Sequence, residues 1–211
     1  MSADGYHDRP SPGGGSILSK SEIRKQVLAR RDALDSAARE SLSAHITARL
    51  LALDVYRKAG CVMAYIGFGS ELDTARFVAD VLAQGKTLVL PRVERGSRVL
   101  KLYAVQDPEH ELEAGVWGIR QPRVDRCAEM PASRIEFVLV PGVAFTRRCE
   151  RLGYGGGFYD RFIRGLAPRP AFVAAAFALQ VLPELPTSET DQRVDLVMTE
   201  DADYQAPSGN Q

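Results

Sequence analysis

The stretch from Cys61 to Pro91 limits what this chain can fold into. Cys61-Val62-Met63-Ala64-Tyr65-Ile66 is an unbroken apolar run of strand length, and Gly67-Phe68-Gly69 reads as a turn. From Leu72 to Ala83, Phe77, Val81 and Leu82 recur at helical spacing, and Gly85 marks the stop. Thr87-Leu88-Val89-Leu90 is the next strand, closed by Pro91. Apolar strands joined through a helix belong to a parallel sheet with a right-handed crossover. Further strands are predicted at Val99 to Val105, with mixed faces, and at Phe137 to Val140, Ala171 to Ala178 and Val194 to Met198. In such sheets ligands collect at the carboxyl ends of the strands. Glu71 lies at one of those ends, although an acid there also suits the start of the following helix.

Two helices precede this unit. Ser19-Lys20-Ser21-Glu22 has the form of a capping box, with Ser19 as N-cap, and Ile23, Val27 and Leu34 follow at helical spacing. Lys20 and Arg24, four residues apart, share one edge of its first two turns; by itself such a pair is an ordinary solvated basic edge. The second helix runs from about Ser36 to Leu53, and its stripe of Leu42, Ile46, Leu50 and Leu53 carries no chemical signal. Residues 1–16 are rich in Gly, Pro and Ser and read as a disordered leader. One domain is expected over residues 17–200, with 201–211 a flexible polar tail.

Composition removes several classes of function. The 211 residues suffice for one α/β domain with a real core. Lys plus Arg number 27 and so do Asp plus Glu, so no global positive field points to nucleic acid. No apolar run approaches membrane-spanning length, and the N-terminus lacks the apolar core of a signal peptide. A cytoplasmic monomer without a nucleic-acid or membrane partner is expected. Cys61, Cys127 and Cys149 are far apart, form no C-x-x-C and read as buried or incidental thiols. His7, His45 and His110 are equally scattered, which argues against histidine-based catalysis.

The chemistry-bearing stretch follows the strand at Phe137. After Pro141-Gly142 comes Arg151-Leu152-Gly153-Tyr154-Gly155-Gly156-Gly157-Phe158-Tyr159-Asp160-Arg161-Phe162-Ile163, a glycine-rich loop leading into a helix with Phe158, Phe162 and Ile163 on one face. Successive backbone N–H groups in such a loop can converge on an anion, and glycine permits close approach. Arg151 and Arg161 flank the loop, with Arg147 and Arg148 upstream. Neither G-x-x-x-x-G-K-[ST] nor G-x-G-x-x-G fits it, and a tight turn with Asp160 favouring the helix start would account for the glycines alone.

The whole stretch is more specific than its glycines. Pro141-Gly142-Val143-Ala144-Phe145 together with Arg151 to Arg161 resembles the signature of the 5-formyltetrahydrofolate cyclo-ligases, also called methenyltetrahydrofolate synthetases. The resemblance runs from about Lys20 to Glu200. It implies a single-domain, three-layer α/β fold: an open, mostly parallel sheet with helices on both faces. The implied reaction is cyclisation of 5-formyltetrahydrofolate, with or without a polyglutamate tail, to 5,10-methenyltetrahydrofolate. ATP is the implied co-substrate, transferring a phosphoryl group to the formyl oxygen, and Mg2+ the implied cofactor. The residues it implies for ATP are Lys20, Arg24, Arg151, Gly153, Tyr154, Gly155, Gly156, Gly157, Phe158 and Tyr159. Those implied for the folate are Ile66, Glu71, Tyr154 and Phe158, with the Glu71 carboxylate accepting from the donor edge of a pterin. Asp160 and Asp191 are the implied magnesium ligands, and no covalent nucleophile is implied.

The chain departs from the family pattern at four positions. Lys101 stands where an apolar residue is usual, Gln121 where Glu is frequent, Phe158 where Tyr is common and Thr190 where His is expected; Asp195, Thr199 and Glu200 match. Trp117 and Tyr103 suit either a flat ligand ring or ordinary core, and Arg120, Arg123 and Arg126 either an anionic substrate tail or solvent. Two other readings stay open. One is a folate- or pterin-binding paralogue without this reaction; the other is a sugar-phosphate isomerase or coenzyme-A-transferase-like protein on a similar sheet.

Overall fold

The computed structural model describes residues 18–94, 96–97, 99–115 and 118–207. The leader at residues 1–16, Trp117 and the end of the tail at 208–211 lie outside the described residues. In chain order the elements are α1 (Lys20–Asp32), α2 (Ser36–Ala52), α3 (Asp54–Lys58), β1 (Cys61–Met63), α4 (Ala75–Ala83), β2 (Thr87–Val93) and β3 (Leu100–Val105). There follow β4 (Leu112–Ala114), β5 (Arg120–Pro122), β6 (Phe137–Leu139), β7 (Ala144–Thr146), β8 (Arg151–Leu152) and α5 (Phe158–Arg164). The chain ends with β9 (Ala171–Ala175), β10 (Val181–Leu182), β11 (Leu196–Met198) and β12 (Asp203–Gln205).

A seven-stranded sheet in the order β12-β11-β9-β6-β1-β2-β3 is the centre of the fold. From β11 to β2 all neighbours are parallel; β12 and β3 add antiparallel edges. Side chains alternate between two apolar layers, as the two-residue period of a strand requires. Val62, Leu88, Leu90, Phe137, Leu139 and Val173 face one cluster with Ile46 and Leu50 of α2, Tyr56 of α3 and Phe77 and Val81 of α4. Met63, Val89, Val138, Phe172, Ala174 and Val197 face the other, with Ile163 of α5 and Phe145 of β7. The expected three layers, with helices on both faces, are therefore present. Burying each of the larger side chains contributes about 1.5–3 kcal/mol.

Two smaller sheets were not visible in the sequence: β10-β7-β8 and the hairpin β4-β5. Ile23 and Val27 of α1 pack on Ala144 and Leu152 of the first, forming a separate apolar cluster with Val143 and Leu185. The capping box of α1 is formed as expected: Glu22 N–H donates to Ser19 Oγ at 3.3 Å, and Ser19 N–H donates to Glu22 Oε2 at 2.8 Å. The apolar packing docks α1 beside the glycine loop, where Lys20 reaches Asp191 and Arg24 reaches Gly153 O.

Several boundaries differ from expectation. Pro91 does not close β2, which pairs with β3 as far as Val93, and β9 ends at Ala175 rather than Ala178. β1 ends at Met63 rather than Ile66, and α4 begins at Ala75 rather than Leu72. The residues between are held by side chains instead of a ladder: Thr74 Oγ1 donates to Tyr65 O at 2.8 Å and accepts from Gly67 N–H at 3.1 Å, and Asp73 accepts from Ala75 N–H at 2.9 Å. The tail expected to be flexible from Asp201 instead pairs as β12 with β11. Arg49 of α2 clasps it, reaching Thr199 O and, at 2.8 Å, Asp203 Oδ1.

Candidate active site

The parallel strands run β2-β1-β6-β9-β11, so successive crossovers leave the centre in opposite directions at the β1/β6 boundary. A doubly wound sheet opens a crevice at such a switch point. Here the carboxyl ends of β1 and β6 supply Tyr65, Ile66 and Pro141 to a cavity of about 1230 Å³. All the residues proposed for ATP, folate and metal line it: Lys20, Arg24, Ile66, Glu71, Arg151, Gly153 to Tyr159, Asp160 and Asp191. The volume exceeds the roughly 300–1,000 Å³ usual for one small ligand.

At one end the glycine loop is surrounded by cations. Gly155 and Gly157 have φ of 104° and 65°, in the left-handed region that favours glycine. A side chain at Gly153 would come within 2.8 Å of the Arg151 guanidinium, and one at Gly156 within 2.6 Å of the Phe158 ring. No acceptor among the described residues takes up the N–H groups of Gly155, Gly156 and Gly157. Arg24 Nε donates to Gly153 O at 2.7 Å, and an Arg161 nitrogen to Gly156 O at 2.7 Å, which turns two guanidinium groups toward the loop. The Arg151 side chain is 2% exposed and pairs with Asp160 at 2.7 Å. Its Nε and the Tyr159 hydroxyl are buried without partners among the described residues, with the guanidinium 5.8 Å from the Tyr159 ring centroid.

Asp160, on α5, and Asp191, in the loop before β11, both line this end. Asp160 Oδ1 accepts from Arg151 and, at 3.1 Å, from Gln192 N–H; Asp191 Oδ2 accepts from Lys20 Nζ at 2.5 Å and Ser188 N–H at 2.7 Å. Burial works to raise the Asp191 carboxyl, but the bonds from Lys20 and Ser188 outweigh it and hold it below its ordinary value. Each carboxylate keeps one oxygen without a hydrogen bond to the described residues. Two hard oxygen donors fit magnesium in a site where phosphate oxygens and water complete the shell. They are too few for a cation cage built from protein alone, and no cluster of three or more His, Cys, Asp or Glu occurs among the described residues.

The other end is drier and more aromatic. Glu71 is buried, with Phe68 N–H donating to Oε2 at 3.1 Å and the Tyr154 hydroxyl to Oε1 at 2.5 Å. Burial pushes its carboxyl up, and Tyr154, Phe68 N–H and the nearby Arg31 oppose that shift without reversing it. A carboxylate has about four acceptor positions, so two remain for a ligand. The Phe68 and Tyr154 rings, 5.4 Å apart and both partly exposed, form an apolar wall beside it.

Sequence reasoning missed Arg31, Asp32, Ser70 and Arg164, which also line the cavity. A signal was available for Arg31: positions 20, 24 and 31 fall on one helical face, so the basic edge of α1 continues past its first two turns. Arg164 donates to Thr190 O at 2.7 Å, fixing the loop that carries Asp191. Of the basic trio, Arg120 lines the cavity, whereas Arg123 pairs with Asp125 and Arg126 donates to His110 O. Lys101 pairs with Glu94 at 2.9 Å, and Gln121 is buried against Arg92.

Comparison with known proteins identifies the family of the chain. The mouse 5-formyltetrahydrofolate cyclo-ligase is 27% identical, over 87% of this chain and 95% of that protein. The Escherichia coli K12 protein of the same name is 29% identical, over 81% of this chain and 94% of that one. The solution structure of Aquifex aeolicus 5,10-methenyltetrahydrofolate synthetase superposes with a TM-score of 0.79 at 33% identity, covering 91% of this chain and 95% of that one. A Mycoplasma pneumoniae 5,10-methenyltetrahydrofolate synthetase, at 20% identity and a TM-score of 0.71, shares the fold. The model of the 5-formyltetrahydrofolate cyclo-ligase family matches residues 16–200, from the first helix through the last parallel strand, and the chain belongs to that family.

Proposed function

We propose that the protein converts 5-formyltetrahydrofolate to 5,10-methenyltetrahydrofolate, with ATP converted to ADP and phosphate. The supporting observation is the division of the cavity. A buried carboxylate with two open acceptor positions stands beside an aromatic wall at one end, and a cation-lined glycine loop stands at the other. An aminopyrimidinone ring offers two adjacent N–H donors to the first. The phosphates of ATP suit the second.

The formyl oxygen is a poor leaving group, so it must be activated. The γ-phosphoryl group passes to that oxygen and ADP departs. N10 then attacks the formyl carbon, the phosphate leaves with its oxygen, and N10 loses its proton. The protein supplies position and charge rather than a covalent nucleophile. In keeping with this, the described residues lining the cavity include no cysteine or histidine, and burial pushes the Cys149 thiol up to about 11.

Lys20, Arg24 and Arg151 offset charge on ATP, and the loop from Gly153 to Tyr159 lets its backbone approach the phosphates. Glu71, Ile66, Phe68 and Tyr154 hold the pterin, with Phe158 at the boundary between the two ligands. Asp160 and Asp191 would hold Mg2+, which when bound neutralises phosphate charge. Phe158 has no hydroxyl to offer the substrate. That departure keeps the binding paralogue in view, and an ATP-free control separates the two readings.

The test is near-ultraviolet absorbance after mixing the protein with 5-formyltetrahydrofolate, Mg2+ and ATP. Growth of the methenyl chromophore only with ATP is expected. Binding of the folate by calorimetry without any chromophore would replace the enzyme by the paralogue.

A further inference from the structure

Arg31 lies in the last turn of α1 and is 3% exposed, and no carboxylate among the described residues lies within ion-pair distance of it. A buried guanidinium is costly unless its charge is answered. Here two hydroxyls stand between it and two carboxylates. Arg31 Nε donates to Ser70 Oγ at 2.9 Å, and Ser70 donates in turn to Asp32. Another Arg31 nitrogen donates to the Tyr154 hydroxyl at 3.1 Å, and Tyr154 donates to Glu71 Oε1 at 2.5 Å.

The interposed phenol changes what Glu71 can do. A direct Arg–carboxylate fork would occupy both oxygens and leave the carboxylate poorly placed to receive a ligand. Through Tyr154 the positive charge reaches one oxygen and uses one acceptor position. Phe68 N–H on Oε2 and Tyr154 on Oε1 fix the plane of the carboxylate. The remaining acceptor positions can face the cavity.

We infer that Arg31, acting through the Tyr154 hydroxyl, is a positioning residue that keeps the Glu71 carboxyl oriented for the donor edge of the substrate. This rests on the reading of Glu71 given above. Three separate segments must meet for it: the end of α1, the loop after β1 and the glycine loop. Among the described residues, the other titratable groups facing Glu71 are Tyr65, two residues past β1, and Tyr159 of α5, whose phenols burial pushes well above their ordinary value. Asp32 is tied to the same guanidinium through Ser70. Arg31 is the cation in this set.

The experiment compares Tyr154→Phe and Arg31→Gln with wild type. Tyr154→Phe keeps the ring and removes one hydroxyl from a partly exposed side chain, so folding is not at risk if Arg31→Gln proves unstable. In both variants KM for 5-formyltetrahydrofolate should rise about tenfold, the loss of one charge-assisted hydrogen bond, while KM for ATP stays unchanged. The acid limb of kcat/KM for the folate should move to higher pH, because Glu71 loses the groups that oppose its burial. Arg31→Lys, which keeps the charge, should hold that limb closer to wild type. A carbon-detected NMR titration of the Glu71 carboxyl in the free proteins reads the same shift without substrate. An unmoved titration and an unmoved folate KM in Tyr154→Phe would overturn the inference. Wild type that neither binds nor cyclises the folate would overturn the function instead, and the titration would still decide whether Arg31 governs Glu71.

Discussion

Glu71 and Asp191 line the same cavity, yet their carboxyls are displaced in opposite directions. Around Glu71 burial dominates, and a phenol, a backbone N–H and a relayed guanidinium only limit the rise. Around Asp191 a direct ammonium and a backbone N–H overcome burial. The lesson is that the two ends hold their carboxylates by different physics. The glycine-loop end is built from direct ion pairs, Lys20 with Asp191 and Arg151 with Asp160. The Glu71 end is built from a relay of hydrogen bonds in which a phenol stands between carboxylate and guanidinium.

The division can be broken most forcefully at Asp160. Asp160→Asn keeps an oxygen for Arg151 and Gln192 N–H but loses the charge a cation needs. kcat should fall at least about a hundredfold, with far-ultraviolet circular dichroism unchanged. Normal magnesium-dependent turnover in this variant would show that the charged end does not work through Asp160.

A smaller effect sharpens the boundary. Arg24→Glu should raise KM for ATP about tenfold or more by setting a like charge against the phosphates, and leave KM for the folate unchanged. Glu71→Gln should do the reverse. Steady-state kinetics that move both constants together in either variant would mean the two ends are one site.

The smallest effects concern stability in the absence of metal and substrate. The folded Asp191 carboxyl lies below its ordinary value, so its contribution is present above that value and is lost as pH falls through the lowered one. Asp191→Asn should therefore flatten the acid-side loss of Tm. The folded Glu71 carboxyl lies above its ordinary value, so ionised Glu71 costs stability at neutral pH, and the cost fades as pH falls through the raised value. Glu71→Gln should raise Tm at neutral pH and do little in acid, the usual exchange of function for stability. Parallel melting curves against pH for both variants would contradict the opposed environments.

The charged end was far more legible in the sequence than the dry one. Gly153 to Asp160 is contiguous and Lys20 and Arg24 stand four apart, so the family resemblance could pick them out together, although neither pattern was decisive by itself. Glu71 was legible as a carboxylate after a strand, but its support was not. Arg31 and Tyr154 are separated by 123 positions, and no local spacing encodes that contact. The parallel sheet was readable because β1, β2 and β6 are apolar on both faces. Strands as short as β8 and β10 show no alternation, and polar β12 is recruited by backbone pairing and by Arg49 rather than by apolar burial. The early end of β1 escaped notice because its apolar run continues past the point where Thr74 replaces the ladder.

One helix touches both ends. Lys20 opens α1 on Asp191, and Arg31 nearly closes it on Tyr154. Its 13 residues span about 20 Å, so α1 is a gauge that sets the distance between the two ends of the cavity. A residue inserted after Val27 would turn everything beyond it by about 100°, leaving Lys20 and Arg24 seated and Arg31 facing elsewhere. Evolution can therefore retune either end by substitution, but not the spacing between them by lengthening this helix. Length variation in this part of the chain should be confined to the turn at Ala33–Asp35, where no such measure is kept.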